Sequence, residues 1–275
     1  MNPYQFLRHT PGTNCGDCGW PTCLAFAAAV TKAGVQADRC PHLQRDGLPP
    51  ELLAKKSAAA DAAVLERGEE ERHTALAAYL RSKMEGLDLS DLAPRLGADW
   101  SADEPEALRF SFLNRPVRLG ATGVFLDGGE PADPRDQILL YNYAAIGRAG
   151  QARTPEGIWV GMESLPNSIA KIRTLAAYCE ERLAERFSGR ISKLTKLCAA
   201  VAAEPAAGQS ANAAFRIPVL PCVPLLLLFW EAEPEDGFAA KVKVLVDQHV
   251  LDFLDLESLV FAAERMADRL LELDS

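Results

Sequence analysis

No apolar run in this 275-residue sequence is long enough to cross a bilayer. The most hydrophobic stretch, residues 219–230, is interrupted by Pro221 and Pro224, and a spanning helix needs about 20 apolar residues. Residues 1–9 lack a basic start followed by a long apolar segment, so no export signal is expected. Excess positive charge is also missing. The formal net charge is −9, and an acidic chain repels the phosphate backbone of nucleic acid. There is no Ser/His/Asp set, no nucleotide-binding glycine loop and no HExxH helix. Together these absences predict a cytoplasmic protein with no membrane insertion and no nucleic-acid partner. They leave enzymatic activity without a catalytic constellation to support it.

What is present is cysteine. There are seven, an odd number, in a chain expected in a reducing compartment where disulfides are disfavoured. Four of them fall at Cys15, Cys18, Cys23 and Cys40, with Pro41 after the last, giving the spacing C-x2-C-x4-C-x16-C-P. A cubane cluster offers four iron corners, each taking one thiolate. Three close cysteines on one loop suit three corners, and a distant fourth wraps over the cluster. Gly16 and Gly19 let the loop turn and are expected to offer backbone N–H groups to sulfide. Cys23 opens a predicted helix, where the dipole favours a thiolate. Zinc is the main competitor. Its structural sites favour two knuckle-like pairs, and this chain has one C-x2-C pair. A redox dithiol is the third reading. The spacing favours a [4Fe–4S] cluster on Cys15, Cys18, Cys23 and Cys40. Residues 1–47 carry a net charge of +1 against −10 for the remainder, which eases the placement of an anionic cluster.

Residues 1–47 read as a cluster unit, 48–90 as a helical connector and 91–275 as a larger domain. A helix over 22–33 stops at Gly34. Residues 48–86 read as helical, with a start at Pro49 and Pro50 and an apolar stripe of Leu65, Leu76 and Leu80. Alternation predicts strands over 108–113, 117–119 and 122–126, closed by a turn at Asp127, Gly128 and Gly129. Asp133 or Asp136 caps a helix over 137–146. Residues 162–167 read as a loop, 168–187 and 191–203 as helices, and 204–213 as a polar loop. A buried core strand is expected over 219–230, with 215–217 leading in. It pairs with 240–246 through a turn at 233–237, before a closing helix over 256–271. Strands and helices without a βαβ period predict an α+β fold.

The segment Thr13-Asn14-Cys15-Gly16-Asp17-Cys18-Gly19-Trp20-Pro21-Thr22-Cys23-Leu24-Ala25-Phe26-Ala27, with Cys40-Pro41, resembles the small 4Fe–4S domain of the corrinoid iron–sulfur protein, the gamma subunit of acetyl-CoA decarbonylase/synthase. That resemblance implies Cys15, Cys18, Cys23 and Cys40 as the cluster ligands. It covers about the first 45 residues. The rest leaves no room for that protein's barrel and corrinoid-binding domains, so methyl carriage and corrinoid binding are not implied. Residues ~100–270 resemble DUF3786. The residues carrying this are Asp-Pro-Arg-Asp-Gln at 133–137, Glu-Ser-Leu-Pro at 163–166, Val-Pro-Leu-Leu-Leu-Leu-Phe-Trp-Glu-Ala at 223–232 and Lys-Val-Lys-Val-Leu-Val-Asp at 241–247. The family implies an α+β domain and no activity.

The remaining candidates have ordinary readings beside sharper ones. Cys179, Cys198 and Cys222 are expected to be buried structural cysteines, and His9, His42 and His73 surface histidines. His249, near Asp247 and Asp252, is expected in a turn rather than at a metal. Trp20 is expected to shield the cluster from water. The 162–166 loop is expected to be a packed connection, with a pocket lined by Trp159, Glu163, Arg135 and Asp136 as its sharper alternative. The function this predicts is one-electron transfer in anaerobic one-carbon or corrinoid-linked metabolism. The partner is a redox protein, with a small molecule or a corrinoid protein as further candidates. The alternative is a binding, assembly or redox-sensing module in which the cluster is structural and the larger domain recognises a ligand or partner.

Overall fold

The computed structural model describes residues 1–49, 52, 58–147 and 154–275, and the chain falls into two units, Met1–Ala75 and Leu76–Ser275. The fold is α+β, as the sequence predicts.

The first unit begins with helix α1 (Pro3–Leu7), started by a capping box in which Asn2 and Gln5 satisfy each other's backbone N–H groups. Helix α2 (Cys23–Ala33) starts at Thr22, whose side chain accepts the Ala25 N–H, and ends at Gly34 in the left-handed region (φ 70°). Cys23, Phe26, Ala27 and Val30 share the buried stripe of α2. Phe26 meets Phe6 of α1 edge-on, with ring centroids 6.0 Å apart. Val35, Ala37, Cys40 and Leu48 complete this small core. Pro50, half of the predicted helix start, lies outside the described residues. Helix α3 (Ala58–Ser82) forms within the predicted helical stretch. Its last residues belong to the second unit, where Leu80 and, just past the helix, Met84 pack on that unit's core, whereas Leu76, expected on the apolar stripe, is exposed.

In the second unit, helix α4 (Leu89–Leu92) leads into an antiparallel meander of five strands in order β1 to β5. These are β1 (Asp99–Ser101), β2 (Glu104–Phe112), β3 (Arg115–Gly120), β4 (Gly123–Leu126) and β5 (Glu130–Pro131). The predicted alternation places Leu108, Phe110, Phe112, Val117 and Leu119 in the core. The β2–β3 turn, Leu113 and Asn114, takes positive φ at both residues (50° and 62°), which matches the right-handed twist of the flanking strands. Helix α5 (Pro134–Gly147) is capped by Asp133, whose carboxylate accepts the Arg135 N–H at 2.8 Å. Asp136, the other candidate cap, is instead buried within the first turn of the helix.

The second sheet has the order β6-β10-β9-β8-β7 and is also antiparallel. It comprises β6 (Trp159–Gly161), β7 (Glu204–Pro205), β8 (Ala213–Leu220), β9 (Val223–Trp230) and β10 (Lys241–Asp247). The expected single strand over 219–230 is corrected here. It breaks at Pro221 and Cys222 into a hairpin of β8 and β9, with Leu220 opposite Val223 and Pro218 opposite Pro224. Proline has no N–H for the ladder, and the opposed prolines confine the missing donors to the hairpin end.

The predicted 168–187 helix is helix α6 (Ile169–Leu175), a π-helical turn over Ala176–Glu180 and helix α7 (Glu181–Phe187). The widened turn sits where Glu180 accepts the Val244 N–H of β10 at 2.9 Å. Strand β6 pairs only with Leu245 to Asp247, so this carboxylate supplies the acceptor where the neighbouring strand stops. Helix α8 (Ile191–Ala200) and helix α9 (Leu256–Glu272) complete the core.

Charged residues tie the helices together. Asp136 of α5, 1% exposed, receives a two-pronged bond from Arg265 of α9 (2.6 and 3.1 Å). Arg265 also reaches Asp268 at 3.0 Å, and Asp268 accepts from Arg182 of α7 at 2.8 Å. Removing one partner of a buried pair strands the other charge. Asp136→Ala is expected to cost about 3–5 kcal/mol in urea unfolding, and a loss below about 1 kcal/mol would show that the pair carries little. At Gly120, an added Cβ would lie 2.1 Å from the backbone oxygen of Glu106 across the β2–β3 ladder. Gly120→Ala is therefore expected to lower stability by about 1–3 kcal/mol, read by the same unfolding curve.

Candidate metal centre

The loop ahead of α2 is shaped by residues that tolerate the left-handed region. Asn14 (φ 52°), Gly16 (φ 81°) and Gly19 (φ 86°) all lie there. The Asn14 side-chain oxygen accepts the Cys23 N–H at 2.8 Å. That bond satisfies the first donor of α2, while Thr22 satisfies Ala25. Gly19 N–H donates to Gly16 oxygen at 2.8 Å and closes a turn between Cys15 and Cys18. This amide is spent within the loop and is not among the N–H groups the turn leaves free for sulfide.

Sulfur receives its amides elsewhere. The backbone N–H of Asn14 approaches the Cys23 thiol, and those of Gly12 and Thr13 do so with smaller effect, while the Thr10 hydroxyl donates to the Leu7 carbonyl at 2.7 Å. These donors pull its pKa below the ordinary thiol value against the opposing effect of burial. A nest of N–H groups around sulfur favours thiolate over thiol, which is the state a metal binds. The role of Gly12, Thr13 and Asn14 beside the Cys23 sulfur escapes the sequence reading. Their only local signal is a glycine and an asparagine just before Cys15, both tolerant of a left-handed backbone.

Cys40 arrives from a 3-10 turn over Ala37–Arg39 and is buried in the unit's small core. Burial pushes its thiol up, the His42 N–H opposes that, and charge on Cys18, Cys15 and Cys23 pushes it up again. The other three thiols are therefore near enough for their charge to act on Cys40. Cys15 is exposed and Cys18 half-buried, whereas Cys23 and Cys40 are buried. Trp20 is half-buried on the same core as Cys18 and Cys40. Its ring lies 5.6 Å from Phe26, with the Arg39 guanidinium 5.4 Å from its centroid.

His42 is exposed, as expected, and its ring nitrogen is 2.9 Å from the Asp17 carboxylate. Bonds to His42 and then Cys15 hold the Asp17 carboxyl below the usual carboxylate range. Cys15, Asp17 and His42 present ligand atoms within 4.8 Å of one another. His9 is half-buried. This donor set fits an iron–sulfur cluster. Three thiols whose charge acts on a fourth, backbone N–H groups beside one of them and low local negative charge are what an anionic thiolate cluster requires.

The other candidates lie in the second unit. Cys179 and Cys198 are fully buried. Burial pushes both thiols up, that of Cys198 to about 12, the behaviour of structural cysteines. Cys222 is half-buried in the β8–β9 turn, and its backbone N–H donates to the Tyr143 hydroxyl at 3.2 Å. His249 sits in a turn 3.6 Å from Glu156. Asp247 clamps that turn by accepting the N–H groups of Gly157 (2.8 Å) and His249 (2.9 Å). Arg135 and Asp136 are engaged with Glu264 and Arg265 of α9, and Glu163 with Lys243 of β10. These pairings bind α5 and the 162–166 loop to different partners rather than around one pocket.

Residues 88–269 match the family described as Domain of unknown function (DUF3786), and residues 11–42 match the FeS family, described as "Putative Fe-S cluster". Acetyl-CoA decarbonylase/synthase complex subunit gamma 2 of Methanosarcina mazei is 37% identical over 60 residues, covering 22% of this chain and 12% of the relative. The gamma subunit of the same complex from Archaeoglobus fulgidus is 36% identical over 55 residues, covering 20% and 12%. The corrinoid/iron–sulfur protein large subunit of Moorella thermoacetica is 35% identical over 74 residues, covering 24% and 16%. The chain thus spans only a small part of these curated relatives' length. No solved structure gives a significant match. The match covers most of the second unit, and the chain belongs to the DUF3786 family, with a segment of iron–sulfur cluster type ahead of that domain.

Proposed function

We propose that this chain is a cytoplasmic one-electron carrier in anaerobic one-carbon or corrinoid-linked metabolism, holding one [4Fe–4S] cluster on Cys15, Cys18, Cys23 and Cys40. The observation that carries the reading is the thiol set itself. The charges of Cys15, Cys18 and Cys23 all act on Cys40, and Cys23 sits in a cradle of backbone N–H groups. Similarity to gamma subunits of acetyl-CoA decarbonylase/synthase supports the metabolic setting. Among the described residues, no helix is long and apolar enough to cross a membrane.

A cubane bound by four thiolates supplies one-electron oxidation and reduction with no open iron for substrate. The chain's own residues set its surroundings. The backbone N–H groups of Asn14, Gly12 and Thr13 stabilise negative charge on the Cys23 sulfur. Trp20 and Phe26 keep water from one side, and Arg39 over Trp20 places a cation beside it. The partner in this reading is a redox protein, with a corrinoid protein or small molecule as the further candidates. The division that accompanies it is a cluster domain over 1–47, a helical connector over 48–90 and the α+β domain over 91–275.

Anaerobically purified protein is expected to contain about four iron and four sulfide per chain and to give a cluster EPR signal after dithionite. Zinc without sulfide would refute the assignment. Cys15→Ala and Cys40→Ala are each expected to lose the cluster and to raise hydrogen exchange across residues 1–47, leaving the second unit protected. Full iron and sulfide in either variant would remove that residue from the ligand set. Asn14→Ala removes the bond to the Cys23 N–H and is expected to cost about 1 kcal/mol, seen as faster cluster loss to a chelator than in the wild type.

A further inference from the structure

The second unit contains a groove that the cluster chemistry does not use. It has a volume of about 1170 Å³ and runs along β2, β3 and β4 to the Leu220–Pro221 end of the β8–β9 hairpin. This is room for a nucleotide-sized molecule and far more than a simple inorganic ion fills. Two cations line it, Arg109 of β2 and Arg118 of β3, directly opposite each other in the strand register. Both donate to the one carboxylate of Glu104. Glu104 does not line the groove. Among the described residues, the acid that does is Asp99, which is paired with Arg109 from β1. The charged side chains of the described wall are therefore Arg109, Arg118 and Asp99. Each guanidinium carries five N–H donors, and the contacts to Glu104 orient both planes before any ligand arrives.

Apart from Ser111 and Asn114, the rest of the described wall is apolar or glycine. The Arg118 guanidinium lies 5.4 Å from the centroid of the Phe125 ring, and Phe110 and the Ser111 hydroxyl-bearing side chain also line the groove. A guanidinium stacked on an aromatic ring presents an extended planar surface with donors at its edge. We infer that this groove binds an organic anion, a molecule with a planar ring body carrying a carboxylate, phosphate or similar oxyanion. The oxyanion bonds to Arg109 and Arg118, and the ring lies against the Phe125 side. The chain as a whole is acidic, so its long-range field does not attract anions. Recognition arises at contact, from paired guanidinia.

The test uses the anaerobically purified full chain in isothermal titration with three probes. One is 8-anilinonaphthalene-1-sulfonate, a ring system with an oxyanion. The second is N-phenyl-1-naphthylamine, the same ring system without the charge. The third is inorganic phosphate, the charge without rings. One anilinonaphthalenesulfonate per chain is expected, with affinity about tenfold above either of the others. Arg109→Gln and Arg118→Gln are each expected to reduce its binding to the level of the uncharged probe, with iron and sulfide content unchanged. Equal binding by both naphthyl probes, or unchanged binding in both variants, would overturn the inference. Salt provides a check on the unaltered protein. Raising NaCl from about 50 to 500 mM is expected to weaken the sulfonate severalfold and leave the uncharged probe unaffected. No salt effect on the sulfonate would count against the groove as an anion site.

Discussion

Burial of every side chain from Val223 to Phe229 is the constraint around which the second unit is arranged. A half-buried strand needs cover on one face, but β9 needs it on both. Leu225, Leu227 and Phe229 enter the main core with residues from the meander and from α5 to α9. Leu226 and Leu228 face the other way. They are buried beside the half-buried side chains of Arg216, Lys243 and Leu245, whose positions the β8–β9–β10 register fixes. Long side chains such as arginine and lysine can cover apolar surface with their stems while keeping their charge in water. The central place of β9 also brings β8 against the meander, where the Leu113 N–H donates to Val219 oxygen at 3.1 Å.

The first unit has no comparable apolar strand. Its core is a handful of residues around Phe6, Phe26 and Val30, with Cys40 among them. Such a small core supplies little folding free energy. In the cluster reading, metal binding and folding of this unit are one event. The cysteine loop therefore has a geometric task before a chemical one. Asn14 anchors it to the start of α2, the Gly16–Gly19 turn folds Cys15 toward Cys18, and the short turn before Cys40 closes the set.

Charge follows the same division. The cysteine segment is the least acidic part of the chain, and the second unit carries most of the negative charge. Much of that charge is paired. Asp274 is held by Arg186, Arg190 and Lys193, and the bonds from Arg190 and then Arg186 lower its carboxyl to about pKa 2. Asp136, Glu264 and Asp268 are shared among Arg135, Arg182 and Arg265. Against this background the groove differs, because the guanidinia of Arg109 and Arg118 line it while their shared counter-ion does not.

The sequence by itself determined the three central strands of the meander, narrowed the cap of α5 to Asp133 or Asp136, and placed the stop at Gly34 and the candidate cysteines. Each rests on local physics, such as side-chain alternation, a cap's reach to a nearby N–H, or the left-handed tolerance of glycine. Tertiary structure alone decided where local signals were ambiguous or partners distant. An apolar run cannot say whether it is one strand or two, and the break at Pro221–Cys222 follows from pairing Leu220 with Val223. Asp133 and Asp136 look equally able to cap a helix, and the choice came from Arg265, 129 residues away. The π-helical turn answers to the Val244 N–H on a distant strand. The amide cradle on Cys23 and the pairing of Arg109 with Arg118 likewise depend on backbone curvature and strand register. Residue spacing can place four thiols on one short segment, but the donors that favour thiolate on Cys23 are set only when the chain folds around it.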